Sequence, residues 1–309
     1  MPNWQEVLGE IREAQEKRRS SPVNLVRRKY LNQLFEHTKR NVITYYSGFL
    51  TTPRSHGTTI NEDDKNGFML CCHGLDRAKG LDLILHTGGG DLYAMNSLVS
   101  YLKGVFGTNI RAIVPQIAMS AGTMMAVACK SIVMGKQSSL GPTDPQMNGH
   151  PAYAVKKQFE QAHKEVLDES NAVLVWRPML EKLGVSFLKQ CDWAIHYAED
   201  FVTEALRENM LKSDSDANAK AKKIADAKAK KIAKTLGDLE RNKNHGRRFH
   251  YADCEKMGLI IEKMEDDQKL QDLILSVHHC YMHTMGTKGN VMKIIENHKG
   301  RAWGKQASS

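Results

Sequence analysis

Between Leu81 and Gln146 the chain reads LDLILHTGGGDLYAMNSLVSYLKGVFGTNIRAIVPQIAMSAGTMMAVACKSIVMGKQSSLGPTDPQ, and this stretch limits the fold more than any other. Leu81–Leu85 is a short, nearly continuous apolar run, the pattern of a strand covered on both faces. It ends in Gly88, Gly89 and Gly90 and opens a helix that starts at Asp91 and runs to about Val105, with an acidic group at the positive end of the helix dipole. Ile110–Val114 reads as the next strand, Ala121–Ala128 as the next helix and Ser131–Met134 as the strand after that. Strand, helix, strand, helix, strand at this spacing is βαβ architecture around a parallel sheet. In such folds sites form at the carboxyl ends of the strands, where both special turns of this stretch lie.

Each turn has a plain reading and a chemical one. Three glycines can simply make a tight turn. They also permit positive φ and close approach, so that successive N–H groups form a concavity for an anion. The run G-G-G-D matches neither G-x-G-x-x-G nor the P-loop pattern, and Asp91 would repel a phosphate, which leaves the oxyanion-hole reading. Ser120, in A-M-S-A-G-T, stands between a strand and a helix rich in small residues. A serine there can be an N-cap. It can equally be a nucleophile on an elbow, although G-x-S-x-G itself is absent.

The remaining chain supplies the flanks. Residues 3–19 and Val23–Lys39 read as helices, Asn41–Leu50 as a strand, Pro53–Thr59 as a loop and Ile60–Leu75 as a helix. From Pro151 the chain is mainly helical, over about 152–168, 178–189 and 193–212. AKAKKIAD (219–226) is nearly repeated as AKAKKIAK (227–234), and the Lys/Ala-rich segment 213–236 reads as a solvated helix on the flank. A short helix from about Tyr251, a strand at Leu259–Ile261 and an amphipathic helix over Asp267–Met285 follow, before a basic tail. The organisation expected is an N-terminal helical segment (1–40), a core (41–212), the Lys/Ala helix (213–236) and a C-terminal part of the same domain (237–309).

The formal charge of +9 suggests a polyanion partner at first sight. Seven lysines against two aspartates between Asp216 and Lys234 account for +5 of it, so the bulk of the chain is only mildly basic and nucleic acid is not the expected partner. Neither an apolar signal segment nor an 18-residue apolar run is present, so no transmembrane segment is expected. The six cysteines are scattered without a Cys-x-x-Cys pair, as suits reduced thiols in the cytoplasm. His278, His279 and His283 share a helix, with 279 and 283 four apart, but no carboxylate completes an H-E-x-x-H set, so packing is expected there in place of metal. No cofactor is expected.

Taken together, YYSGF, GLDLILHTGGGD, IVPQIAMSAGTMMA, MGKQSSLGPTDPQ, VHHCYMHT and IIENHKGRA resemble the serine dehydrogenase proteinase family of the ClpP/crotonase superfold, related to signal peptide peptidase A and the Clp protease subunit. The resemblance spans about Val26–Trp303. It implies a spiral of βαβ units with flanking helices, a peptide or protein substrate and a homo-oligomer. It also implies Ser120 as nucleophile and an oxyanion hole from the N–H groups of Gly89 and Ala121, with Gly90 shaping the turn. Gly88 stands where the relatives have proline. Asp144 and Pro145 stand where the Clp subunit has its histidine base, and Arg247 where it has its aspartate, so the Ser–His–Asp triad does not carry over.

A serine hydroxyl needs a base. Signal peptide peptidase A uses a lysine kept neutral by burial, and Lys156 is one candidate for that role here, with Lys157 and Lys164 as alternatives. His150 and His86 are the imidazole options. Asp144 could orient the base, bind a substrate amide or cap a turn. Two other functions stay open: a crotonase-fold acyl-CoA-type enzyme or a catalytically silent scaffold, and binding of nucleic acid through the 216–234 lysines.

Overall fold

In a computed structural model, residues 4–52, 56–184, 186–212, 219–287 and 291–307 are described. The helices are α1 (Trp4–Glu16), α2 (Pro22–Thr38), α3 (Asp64–Cys72), α4 (Leu92–Phe106), α5 (Ala121–Val127), α6 (Ala152–Asp168), α7 (Val173–Leu180), α8 (Phe187–Ala205), α9 (Ala219–Gly237), α10 (Leu239–Asn242), α11 (Tyr251–Met257) and α12 (Gln268–Thr287). The strands are β1 (Asn41–Ser47), β2 (Leu81–His86), β3 (Ile110–Val114), β4 (Ile117–Ala118), β5 (Ser131–Met134), β6 (Ser139–Leu140), β7 (Gln146–Met147), β8 (His150–Pro151), β9 (Phe249–His250), β10 (Ile261–Lys263), β11 (Val291–Asn297) and β12 (Ala302–Gln306).

A seven-stranded sheet runs β10-β5-β3-β2-β1-β11-β12, parallel from β10 to β1 and antiparallel at β11 and β12. Every residue of β1, β2 and β11 is buried, because successive side chains feed opposite layers. On one face Ile43, Tyr45, Leu83 and Leu85 join a core with α3, α4, α5, α8 and α9. On the other, Val42, Tyr46 and Ile84 pack against α1, α2 and α12. This two-sided cover is why β2 reads as an apolar run with no polar alternation. All six cysteines are buried and free, and no helix of the described residues is long and apolar enough to cross a membrane.

A second, smaller sheet positions the site. β4 pairs in parallel with β6, and β6 pairs antiparallel with β9. It leans on the main sheet through a bridge between Thr87 and Ala118.

Four expectations need correction. The helix placed at 178–189 is split: α7 ends at Leu180 and the next helix starts at Phe187. The strand placed at Leu259–Ile261 lies at Ile261–Lys263, because Gly258 at φ +100 closes α11 and the chain joins the sheet two residues later. The Lys/Ala helix is packed and not merely solvated: Ala229, Ile232, Ala233 and Leu236, at helical spacing, are buried in the main core. Its first residues, 213–218, lie outside the described residues, as do Pro53–Ser55 of the predicted loop. Finally, the basic tail supplies β11 and β12. The β11 positions Lys293, Glu296 and Asn297 look like surface but are fully buried, because Lys293 Nζ meets Asp64 Oδ1 at 2.6 Å and Glu296 takes both Arg27 and Arg28.

Candidate active site

The glycine turn and the serine turn meet side by side. Met119 N donates to Thr87 O at 3.0 Å and Thr87 N to Ile117 O at 3.1 Å, which zips the two strand ends together. A Cβ on Gly89 would stand 2.8 Å from Ser120 Cβ and 2.9 Å from Met119 O, with φ at +104°, so only glycine fits this contact. Thr123 then fastens the third segment: its Oγ1 donates to Ala118 O and accepts from Gly141 N, each at 2.9 Å.

Ser120 adopts φ 53° and ψ −118°. A non-glycine residue in that region is held there against about 1–3 kcal/mol of strain, a conformation concentrated at functional sites. The serine makes no side-chain cap to α5, so the N-cap reading does not describe it. Ser120 is partly exposed and lines a cavity of about 480 Å³ with Gly90, Ala121, Thr143 and Pro145. Leu92, Tyr93, Met124, Met147 and Trp193 give the cavity apolar walls, and Tyr93 and Trp193 are largely exposed at its rim.

Within the glycine turn the Gly89 and Gly90 N–H groups are held differently. Gly89 N–H is taken by Thr87 Oγ1 at 3.1 Å. Gly90 is held by Ile60, which donates to Gly89 O and accepts from Asp91 N, each at 2.9 Å. Gly90 N–H meets no acceptor among the described residues and, unlike Gly89, Gly90 lines the cavity. Gly90 and Ala121 thus both line the cavity, while Gly89 lies against Ser120 within the turn. Asp91 caps α4 through Ala94 N at 2.7 Å, which directs its carboxylate into the helix end.

The proposed bases are scattered. Lys156 Nζ pairs with Asp192 at 2.8 Å, and that hydrogen bond pushes its pKa up, opposite to what a neutral base requires. Lys156 lies outside the walls of the serine cavity. Lys157 is held the same way by Glu160, and Lys164 and His150 are exposed. His86 is sealed between Tyr46, Phe49 and His278. Burial lowers its pKa to about 3, and neither ring nitrogen meets a partner among the described residues. His278 is buried on the Tyr46 hydroxyl at 3.2 Å, while His279 and His283 pack on Trp4.

Asp144 borders the serine cavity without lining it. Its flanking residues Thr143 and Pro145 wall the serine cavity, and Asp144 itself, 1% exposed, faces an adjoining cavity of about 300 Å³. One oxygen accepts from His245 Nδ1 at 2.8 Å and the other from Gln146 Nε2 at 2.8 Å. Sequence reasoning passed over His245. The two residues lie 101 positions apart and no local motif joins them.

The geometry sets a serine turn beside a glycine turn, and comparison with known proteins places the chain in a family. A family described as ClpP-like SDH-type serine proteinase matches residues 11–296. Two uncharacterized proteins of Methanocaldococcus jannaschii are each 32% identical to the chain, one over 157 residues and one over 145. These matches cover 49% and 47% of this chain and 54% and 42% of the relatives, so the chain spans about half the length of the curated relatives it matches. With the matched region running from α1 through β11, the chain belongs to the ClpP-like SDH-type serine proteinases.

Proposed function

We propose that the chain hydrolyses peptide bonds through an acyl-enzyme on Ser120, with the oxyanion held by Gly90 N–H and Ala121 N–H. The observation that carries this reading is the strained, uncapped Ser120 pressed against a glycine turn whose Gly90 N–H is unengaged among the described residues. A preorganised donor pair aimed at the developing oxyanion contributes roughly 3–4 kcal/mol per donor. The cavity walls favour a substrate with an apolar side chain beside the scissile bond, seated among Met124, Met147 and Trp193. The extended peptide would lie along the free side of the glycine turn, opposite Ile60, as an added strand.

The test is covalent. A fluorophosphonate probe should label the protein at Ser120, and Ser120→Ala should abolish labelling with an unchanged circular dichroism spectrum. Labelling that survives in the folded variant refutes the assignment.

A further inference from the structure

We propose that the turn joining β11 to β12 forms, with α2, a binding site for a phosphate group, at the edge of the sheet opposite Ser120.

The strand register sets this place. β1 and β2 run parallel, with Asn41 opposite Leu81 and Tyr46 opposite His86, and the serine turn is reached beyond the His86 end, through the bridge from Thr87 to Ala118. β11 returns antiparallel and sets Asn297 opposite Ile43, near the start of β1. The turn that follows, N-H-K-G-R over 297–301, is therefore about five residues, or roughly 17 Å, from the end that leads to the serine. Asn297 Oδ1 fixes its shape by accepting from Lys299 N and Arg301 N, each at 3.0 Å. Gly300, at φ +82°, brings the turn against Arg28, whose Nε would stand 3.4 Å from a Cβ at that position.

Between this turn and α2 lies a cleft of about 480 Å³ whose walls include Arg28, Lys29, Asn32, His298, Lys299 and Gly300. Arg28 uses Nε on the buried Glu296 at 2.8 Å, a carboxylate whose other oxygen is held by Arg27. The guanidinium is thus anchored at one corner, while Nη1 and Nη2 meet no acceptor among the described residues and the side chain is 46% exposed. A guanidinium fork held in this way is suited to paired phosphate oxygens. Lys29 and Lys299 hold Glu10 and Gly74 O through exposed contacts, which are weak enough to be exchanged for a ligand.

His298 points to the same ligand independently. The residue is 7% exposed and its ring stacks on Phe35 with centroids 4.1 Å apart. Val42 N–H donates to Nδ1 at 3.2 Å; the Val42 carbonyl is farther from that nitrogen, at 3.4 Å, and already accepts from His298 N–H at 3.1 Å. Nδ1 is therefore the acceptor and Nε2 carries the hydrogen. Nε2 is buried and has no partner among the described residues, a costly position for a donor. Arg28, Lys29 and Lys299 can only donate, so these neighbours cannot satisfy it. A phosphate group supplies acceptor oxygens to Arg28 and His298 and negative charge to the ammonium groups. Phe35 is already covered by His298 and by Lys79 Nζ, 4.9 Å from its centroid, so no open ring awaits a nucleobase and the phosphate itself is the recognised part.

The test titrates the full chain with inorganic phosphate and with glycerol phosphate at constant ionic strength, with chloride as control, by calorimetry and by nitrogen-resolved proton spectra of the histidine rings. We expect saturable binding of both phosphates and a shift of the His298 Nε2–H signal with the same midpoint. Arg28→Gln, and His298→Phe, which keeps a ring on Phe35, should each weaken Kd roughly tenfold or more with an unchanged circular dichroism spectrum. Sedimentation with phosphatidylcholine vesicles, with and without phosphatidic acid, separates the sources of the group. Co-sedimentation that requires phosphatidic acid and is lost in Arg28→Gln assigns a lipid headgroup; glycerol phosphate binding without co-sedimentation assigns a soluble phosphomonoester. Should the variants fail to fold, phenylglyoxal modification of the native protein replaces them, and phosphate should protect Arg28, mapped by mass spectrometry, where chloride does not. Phosphate that acts no differently from chloride, or binding unchanged in folded Arg28→Gln and His298→Phe, overturns the proposal.

Discussion

Acid should unfold this protein through a histidine that takes no part in the proposed chemistry. His86 ends β2 with its ring fully buried against Tyr46, Phe49 and His278, and burial holds its pKa at about 3 in place of 6.5. At about 1.4 kcal/mol per tenfold change this gap corresponds to about 5 kcal/mol. The folded pKa lies below the unfolded one, so the unfolded chain binds the extra proton first. Stability is complete above about pH 6.5 and falls by about 1.4 kcal/mol per pH unit toward pH 3. His278 is displaced in the same direction, by burial and then by His86 and His279, so the two together approach twice that slope. Against a typical total of about 5–15 kcal/mol, a drop of two pH units is enough to matter. Urea denaturation followed by tryptophan fluorescence between pH 8 and pH 4.5 measures it. His86→Leu should reduce the slope below pH 6.5 by about 1.4 kcal/mol per pH unit. It should cost nothing at pH 8, since it removes two ring nitrogens that have no partner among the described residues. Parallel pH profiles for wild type and His86→Leu would refute the reasoning.

Two substitutions probe the contacts that shape the site and the sheet. Gly89→Ala places a methyl against Ser120 Cβ at positive φ; a cost of about 1–2 kcal/mol to the backbone is expected, with a larger effect on labelling rate than on melting temperature, and the reverse ranking would argue against the close approach of the two turns. Lys293→Met strands Asp64, which among the described residues keeps only Tyr45 Oη and Asn61 N as partners; calorimetry should report a loss of about 3–5 kcal/mol, largely recovered in Lys293→Met/Asp64→Asn.

What could be read in the sequence was local. β2, the glycine turn, α4, β3, the serine turn and α5 are each specified by an apolar run or a small residue within a few positions, and all lie where expected. The parts that escaped depend on distant partners. Lys293 and Glu296 look like surface residues until Asp64, Arg27 and Arg28 are brought to them from more than 200 positions away. The packed face of α9 rests on Ala229 and Ala233 as much as on Ile232 and Leu236, and alanine gives little hydropathic contrast against lysine-rich surroundings. The Gly89 N–H is engaged by one hydroxyl, Thr87 Oγ1, whose rotamer no pattern encodes. Asp144 was singled out by position, but its partner His245 is joined to it only through β6 and β9.

The antiparallel strand β11 has a consequence for how the chain becomes folded. It pairs with β1 from Ile43 opposite Asn297 to Ser47 opposite Lys293, a contact some 250 residues long in sequence. During synthesis β1 can dock on β2 early, but its other edge stays bare until residues 291–297 have left the ribosome. An uncovered, apolar strand edge is a template for pairing with another chain, and long-range pairings of this kind form slowly. The hairpin β11–β12 thus acts as the last stave of the sheet, and the interval before it arrives is when the nascent protein is most exposed to aggregation.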